Sequence, residues 1–119
     1  MMFMMMAIML AACSEDEKET SGENGEPKGD LTVWVHPYTG DADAEKEMWK
    51  KITDSYTKKF PDVKVNIETI PWANRDQKIL TALAANNGPD VFYAIPDQMP
   101  QYADAGMLLE LDPYLKGYD

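Results

Sequence analysis

Cysteine, histidine and basic residues are scarce in this chain of 119 residues. It has one cysteine and one histidine, and 11 lysines and arginines stand against 21 acids. A lone cysteine forms no internal disulfide, and with no CxxC or Cys/His cluster no zinc site is expected. A net charge of −10 without a Lys/Arg patch argues against a nucleic-acid partner and in favour of solubility. There is no GxSxG, HExxH, P-loop or GxGxxG, so no catalytic residue, metal or cofactor is assigned. Carboxylates are plentiful enough that counting alone leaves a glycosidase-like pair open.

Long apolar runs are also missing. The one candidate, Met1–Ala12, is too short to span a bilayer but fits the apolar region of a secretory signal. No Lys or Arg precedes it, and the expectation is a signal peptide (1–12) truncated at its start. Leu10-Ala11-Ala12-Cys13 resembles the bacterial lipobox, in which the cysteine is lipidated after cleavage. Stable anchoring needs more than one acyl chain, and a diacylated Cys13 would supply it. Residues 13–30 hold seven acids and two bases. Ser14–Asp30 lacks aromatic, Val, Ile and Leu residues, so it reads as a disordered tether. Its reach is on the order of 20 Å by random-coil scaling.

From residue 31 onward the pattern alternates. Leu31–His36 is apolar at nearly every position, as a central strand covered on both faces would be. In DADAEKEMWKKITDSYTKKF, Asp41 or Asp43 caps a helix whose apolar stripe is Ala44, Met48, Ile52 and Tyr56, with Trp49 and Phe60 beside it. Val63–Ile70 alternates with period two, as an edge strand does. In the next helix Asn74 and Gln77 have capping-box spacing, Ile79, Leu80 and Leu83 form the inner face, and Gly88 is the expected left-handed stop. Asp90–Ile95 is a third strand. A short helical segment ends at Gly106. The order β-α-β-α-β-α predicts an α/β fold with a mainly parallel sheet.

These residues resemble a known family. LTVWVHPYTGD, YTKKFPDVKV, KILTALAANNGPDVFYA and YADAGMLLELDPYL, in that order, are similar to the extracellular solute-binding proteins of bacterial ABC importers, in the family-1 group that includes maltose- and oligosaccharide-binding proteins. The resemblance covers about Leu31–Leu115. It implies a periplasmic-binding-protein-like (type II) fold whose two lobes close like a hinge on a solute. This chain (31–119) would be a partial N-terminal lobe, with the second lobe absent. It further implies a sugar, in particular an oligosaccharide, delivered to ABC permease subunits by a monomeric receptor. That receptor would be lipid-anchored on the extracellular face of the cell membrane, or periplasmic in a Gram-negative cell. The same fold with another solute (a polyamine, a polyol phosphate or an iron complex) and a glycoside-acting lipoprotein enzyme are the alternatives.

Ligands of open parallel sheets sit beyond the carboxyl ends of the strands. Three loops leave those ends. The first offers His36, Tyr38 and Thr39, a mixture of aromatic faces and polar groups suited to sugars. His36 reads equally as a solvent-facing loop residue, and Asp41 reads as a cap. The second loop carries Trp72, either a stacking platform or a hydrophobic staple on its own helix. The third carries Asp97 and Gln98. Asp97 matches an Asp that hydrogen-bonds sugar hydroxyls in maltose-binding relatives, and it could also cap the following helix. Gln98 stands where those relatives have Arg, and Ala94 where they have an aromatic. Trp34 and Trp49 are expected in the core.

Overall fold

Parallel pairing around one central strand organises the chain. The structure is a computed structural model that describes residues 26–115; the signal, Cys13 and most of the tether lie outside that range. β1 (Gly29–Val35), α1 (Ala42–Lys59), β2 (Val63–Thr69), α2 (Arg75–Ala84) and β3 (Val91–Phe92) follow in order, then a 3-10 turn (Pro96–Gln98) and α3 (Met99–Asp104). The sheet order is β2-β1-β3, with both pairings parallel. Each crossover is helical, as parallel strands require.

β1 begins two residues before the apolar run, because Gly29 and Asp30 pair with Val63 and Lys64. It is central, as expected, but only Trp34 and Val35 are buried along it. β3 is shorter than Asp90–Ile95. It pairs with β1 only through Val33–Val91 and Trp34–Phe92, with the Asp90 and Tyr93 amides donating to the Thr32 and Trp34 carbonyls at either end.

The sheet's two faces are packed differently. Trp34, Ile70, Ile79 and Tyr102 form a buried cluster with Phe92, Leu80 and Leu83 against it, so α2 and α3 seal one face. Phe92 and Tyr102 meet edge to face at 5.5 Å. The motif Gly88-Pro89-Asp90 locks this face to the strand. A Cβ on Gly88 would lie 2.7 Å from Leu83 Cδ2, and Pro89 is buried. The Asp90 carboxylate accepts the Thr32 amide at 2.8 Å, while the Asp90 amide donates to the Thr32 carbonyl at 2.9 Å.

Helix ends correct two expectations. Asn86, at φ 51, takes the left-handed position after α2, and Asn86 and Asn87 donate to the Leu83 and Ala82 carbonyls. Gly88 thus lies close against the Leu83 side chain and is not at a positive φ. Asn74 is itself left-handed and makes no side-chain cap bond. Gln77 instead donates to the Thr81 hydroxyl at 3.1 Å, so there is no capping box. Gly106 does end α3 in the left-handed region, at φ 66.

α1 holds the largest departure. Asp41 caps it as expected, accepting the Asp43 and Ala44 amides at 3.1 and 3.0 Å. Yet Ala44, Ile52 and Tyr56 of the expected stripe are exposed. The covered positions are Met48, which the stripe included, and Glu45, Trp49, Thr53 and Thr57, one residue further round the helix. Trp49 is half-buried rather than enclosed. It lies over a groove of about 600 Å³ shared with Val65 and Ile67.

Candidate functional site

The carboxyl ends of β1 and β3 and the loop after β2 converge on an open cavity of about 740 Å³. Its walls include His36, Tyr38, Trp49, Trp72, Val91 and Tyr93. Three rings stand open to it: Tyr38 is 55% exposed, Trp72 48% and Tyr93 56%. This is the place that the topology of an open parallel sheet favours for a ligand.

His36 lies beneath these rings. It is 4% exposed, because β1 carries it straight from the buried Val35 into the sheet's end. It is therefore neither a solvent-facing loop residue nor an open contact surface. Its Nδ1 is 2.7 Å from the Ile70 carbonyl oxygen. Only a protonated nitrogen can bond a carbonyl, so Nδ1 carries the hydrogen. Nε2 is buried and has no hydrogen-bond partner among the described residues. The ring stacks on Trp72 with centroids 4.5 Å apart and meets Tyr93 edge-on at 5.9 Å. Trp72 and Tyr93 meet edge-on at 6.2 Å.

Trp72 is held from several directions. Its indole N–H donates to the Pro37 carbonyl at 2.6 Å, and the Arg75 guanidinium lies 4.9 Å from its ring centroid. Arg75 Nε in turn donates to Asp76 Oδ1 at 2.8 Å. That bond, above all, holds the Asp76 carboxyl below the usual carboxylate range; burial opposes it, and a hydrogen bond from Gln98 assists. Gln98 also accepts the Tyr102 hydroxyl at 3.1 Å.

The loop carrying Tyr38 and Thr39 is organised by Glu45, a residue that the apolar pattern of α1 passed over. Glu45 Oε1 accepts the Tyr38 amide at 2.9 Å, the Thr39 amide at 2.6 Å and the Thr39 hydroxyl at 2.7 Å. The Thr39 amide, then its hydroxyl, then the Tyr38 amide lower the carboxyl's pKa, against an opposing contribution from burial. The Thr39 hydroxyl is spent inside the loop. The Tyr38 hydroxyl donates to Met48 Sδ at 2.9 Å, which leaves its ring face for contact.

Of the six residues expected at a ligand, His36, Tyr38 and Trp72 line the cavity, while Thr39, Asp97 and Gln98 do not. Asp97 is exposed and sits inside the 3-10 turn, and neither that turn nor α3 has a side-chain cap; the capping role falls. The sequence reading missed Tyr93, Arg75 and Asp76. Tyr93 was legible as the last aromatic of its strand, on the face opposite Phe92 by two-residue alternation. Arg75 and Asp76 carried no pattern, since their role depends on the ring next to them.

Comparison with known proteins follows the same outline. The profile of the family described as bacterial extracellular solute-binding protein matches residues 37–119. The chain is 36% identical over 115 residues to a diacetylchitobiose-binding protein of Streptomyces coelicolor, covering 94% of this chain and 26% of that one. It is 26% identical over 87 residues to a maltotriose-binding protein of Pyrococcus abyssi, covering 73% and 18%. Among solved structures it is similar to an ABC substrate-binding protein of Listeria monocytogenes in complex with cycloalternan. There the TM-score is 0.64 and the identity 26%, over 77% of this chain and 22% of the other. It is also similar to a protein solved with mannotriose bound, with a TM-score of 0.59 and 34% identity over 76% and 22%. The chain thus spans about a quarter or less of the length of these relatives, which are named as binding proteins. Its fold is part of a periplasmic-binding-protein-like lobe. From the matched profile, the chain belongs to the bacterial extracellular solute-binding protein family.

Proposed function

We propose that this chain is part of a receptor that captures a carbohydrate, specifically an oligosaccharide, and delivers it to the permease subunits of an ABC importer. The observation that carries the reading is the group of open rings of Tyr38, Trp72 and Tyr93 around one cavity at the carboxyl end of the parallel sheet. Flat aromatic faces suit the C–H faces of sugar rings, and exposed Asp97 at the neighbouring loop would accept their hydroxyls. Relatives that bind diacetylchitobiose, maltotriose, cycloalternan and mannotriose support the same class.

The receptor works as a monomer, with Tyr38, Trp72, Tyr93 and Asp97 as its contacts in this lobe and His36, Thr39 and Gln98 shaping them. It binds without turning its ligand over. Lipidation of Cys13 holds it at the outer face of the membrane, or in the periplasm, with the acidic tether as spacer. Thermal-shift titration with diacetylchitobiose, maltotriose, mannotriose and cycloalternan tests the reading on the complete polypeptide. Stabilisation by at least one sugar, reduced in Trp72→Ala, is expected. Stabilisation by a polyamine or an iron complex, with none by the sugars, would sink it. Acyl labelling that disappears in Cys13→Ala checks the anchor.

A further inference from the structure

We propose that His36 is a positioning residue of this cleft: as a neutral imidazole it sets the Trp72 and Tyr93 rings for solute capture, and its protonation releases them. The inference rests on the receptor reading for its ligand, but its first readout needs no ligand.

The geometry places His36 at the centre of the ring cluster. It stacks on Trp72 at 4.5 Å and an interplanar angle of 26°, and touches Tyr93 at 83°. Those two rings are in turn perpendicular to each other at 87°. Nδ1–H is tied to the Ile70 carbonyl, so the imidazole cannot rotate without breaking a buried bond. Moving His36 therefore moves both platforms.

Protonation would add a second N–H at Nε2, where no acceptor exists among the described residues. A buried donor without a partner is costly, and a buried charge more so. The charged and titratable groups near the ring are Asp76 and Arg75 from the first turn of α2 and the Tyr93 phenol just after β3. Glu45, on α1, is saturated by the Tyr38–Thr39 loop. Asp76 attracts an imidazolium, but it is already paired with Arg75. A cation stacked on indole is ordinarily favourable. Here the Arg75 guanidinium already lies over that indole, 4.9 Å from its centroid. The new Nε2–H has no partner inside the stack, and the stack yields so that it can reach one.

The test is tryptophan fluorescence of the ligand-free complete polypeptide from about pH 8 to about pH 5, the range in which imidazoles titrate. A contacting imidazolium quenches indole emission, and release of Trp72 shifts its spectrum. A step in the wild type that is absent from both His36→Phe and Trp72→Leu is expected. Trp72→Leu removes an exposed ring and keeps the emission of Trp34 and Trp49. Sugar affinity should fall about tenfold across the same step, the scale of one unsatisfied buried donor, while His36→Phe binds with a flat pH profile. If His36→Phe does not fold, the Trp72→Leu comparison still decides. A wild-type emission profile that is flat, or unchanged in Trp72→Leu, overturns the proposal whatever the sugars do. A step that vanishes in the variants, with no sugar bound, supports the positioning role and refutes the carbohydrate reading alone.

Discussion

Both faces of the sheet carry helices, yet only one holds the cluster of fully enclosed apolar side chains. Under α2 and α3, Ile79 and Tyr102 are 2% and 1% exposed, although a groove of about 590 Å³ runs between Trp34 and α2. Under α1, the residue most buried is a glutamate, a groove separates Trp49 from β2, and Val91 and Tyr93 remain open. The difference separates two tasks. The closed face supplies the apolar burial that holds the strands in register. The open face leaves its rings at the strand ends, exposed to solvent.

The comparison predicts its largest effect at Ile79. Ile79→Ala should cost about 2–5 kcal/mol in denaturant unfolding, since a fully enclosed branched side chain leaves a cavity. A loss below about 1 kcal/mol would show a face able to collapse, contrary to tight closure. Gly88→Ala comes next, with a loss of about 1–3 kcal/mol from overpacking against Leu83. Unchanged stability there would mean that the Leu83 side chain moves aside and the contact does not set the helix's distance.

How far the sequence disclosed this asymmetry follows from what decides each feature. The succession of strands and helices, the α2 inner face and the Gly106 stop depend on local pattern, so they were legible. The stripe on α1 was not. Its apolar residues recur every four positions, but Glu45 must turn inward to bind the loop amides of Tyr38 and Thr39, and that rotates Ile52 outward. The left-handed stop was missed for a similar reason, since Asn86 tolerates positive φ and freed Gly88 for close packing. At the site, Trp72 and Tyr38 were readable from their place at strand ends. The burial of His36 was not, because beyond its place at the end of β1 it depends on Trp72, 36 residues later in the chain, stacking on it.

Glu45 offers a smaller, pH-dependent test of the open face. Its carboxyl pKa is lowered in the folded protein. A depressed folded value means stability that is fully present above the ordinary glutamate range and lost as pH falls through the folded value. Glu45→Gln should lower the thermal midpoint at neutral pH. The gap from wild type should then narrow in acid, below the usual glutamate range. A gap that stays constant with pH would mean that the amide replaces the carboxylate's bonds, and that charge is not what holds the loop.

The smallest effect is expected where sequence periodicity alone would place one of the largest. Ile52 is 50% exposed although it sits mid-stripe on α1. Had the stripe faced the sheet, Ile52→Ala would cost about 2–5 kcal/mol, like any enclosed isoleucine. With the helix rotated so that Trp49 and Thr53 face β2, the substitution removes a half-solvated side chain. The change should stay within about 0.5 kcal/mol, aided by alanine's better helix propensity. Thr53→Ala serves as the internal control on the covered side. A loss at Ile52 as large as that at Ile79, in the complete polypeptide, would mean that another part of the receptor covers this face. The open side of the sheet would then be a second buried interface, and only the ring cluster at its end would remain for the ligand.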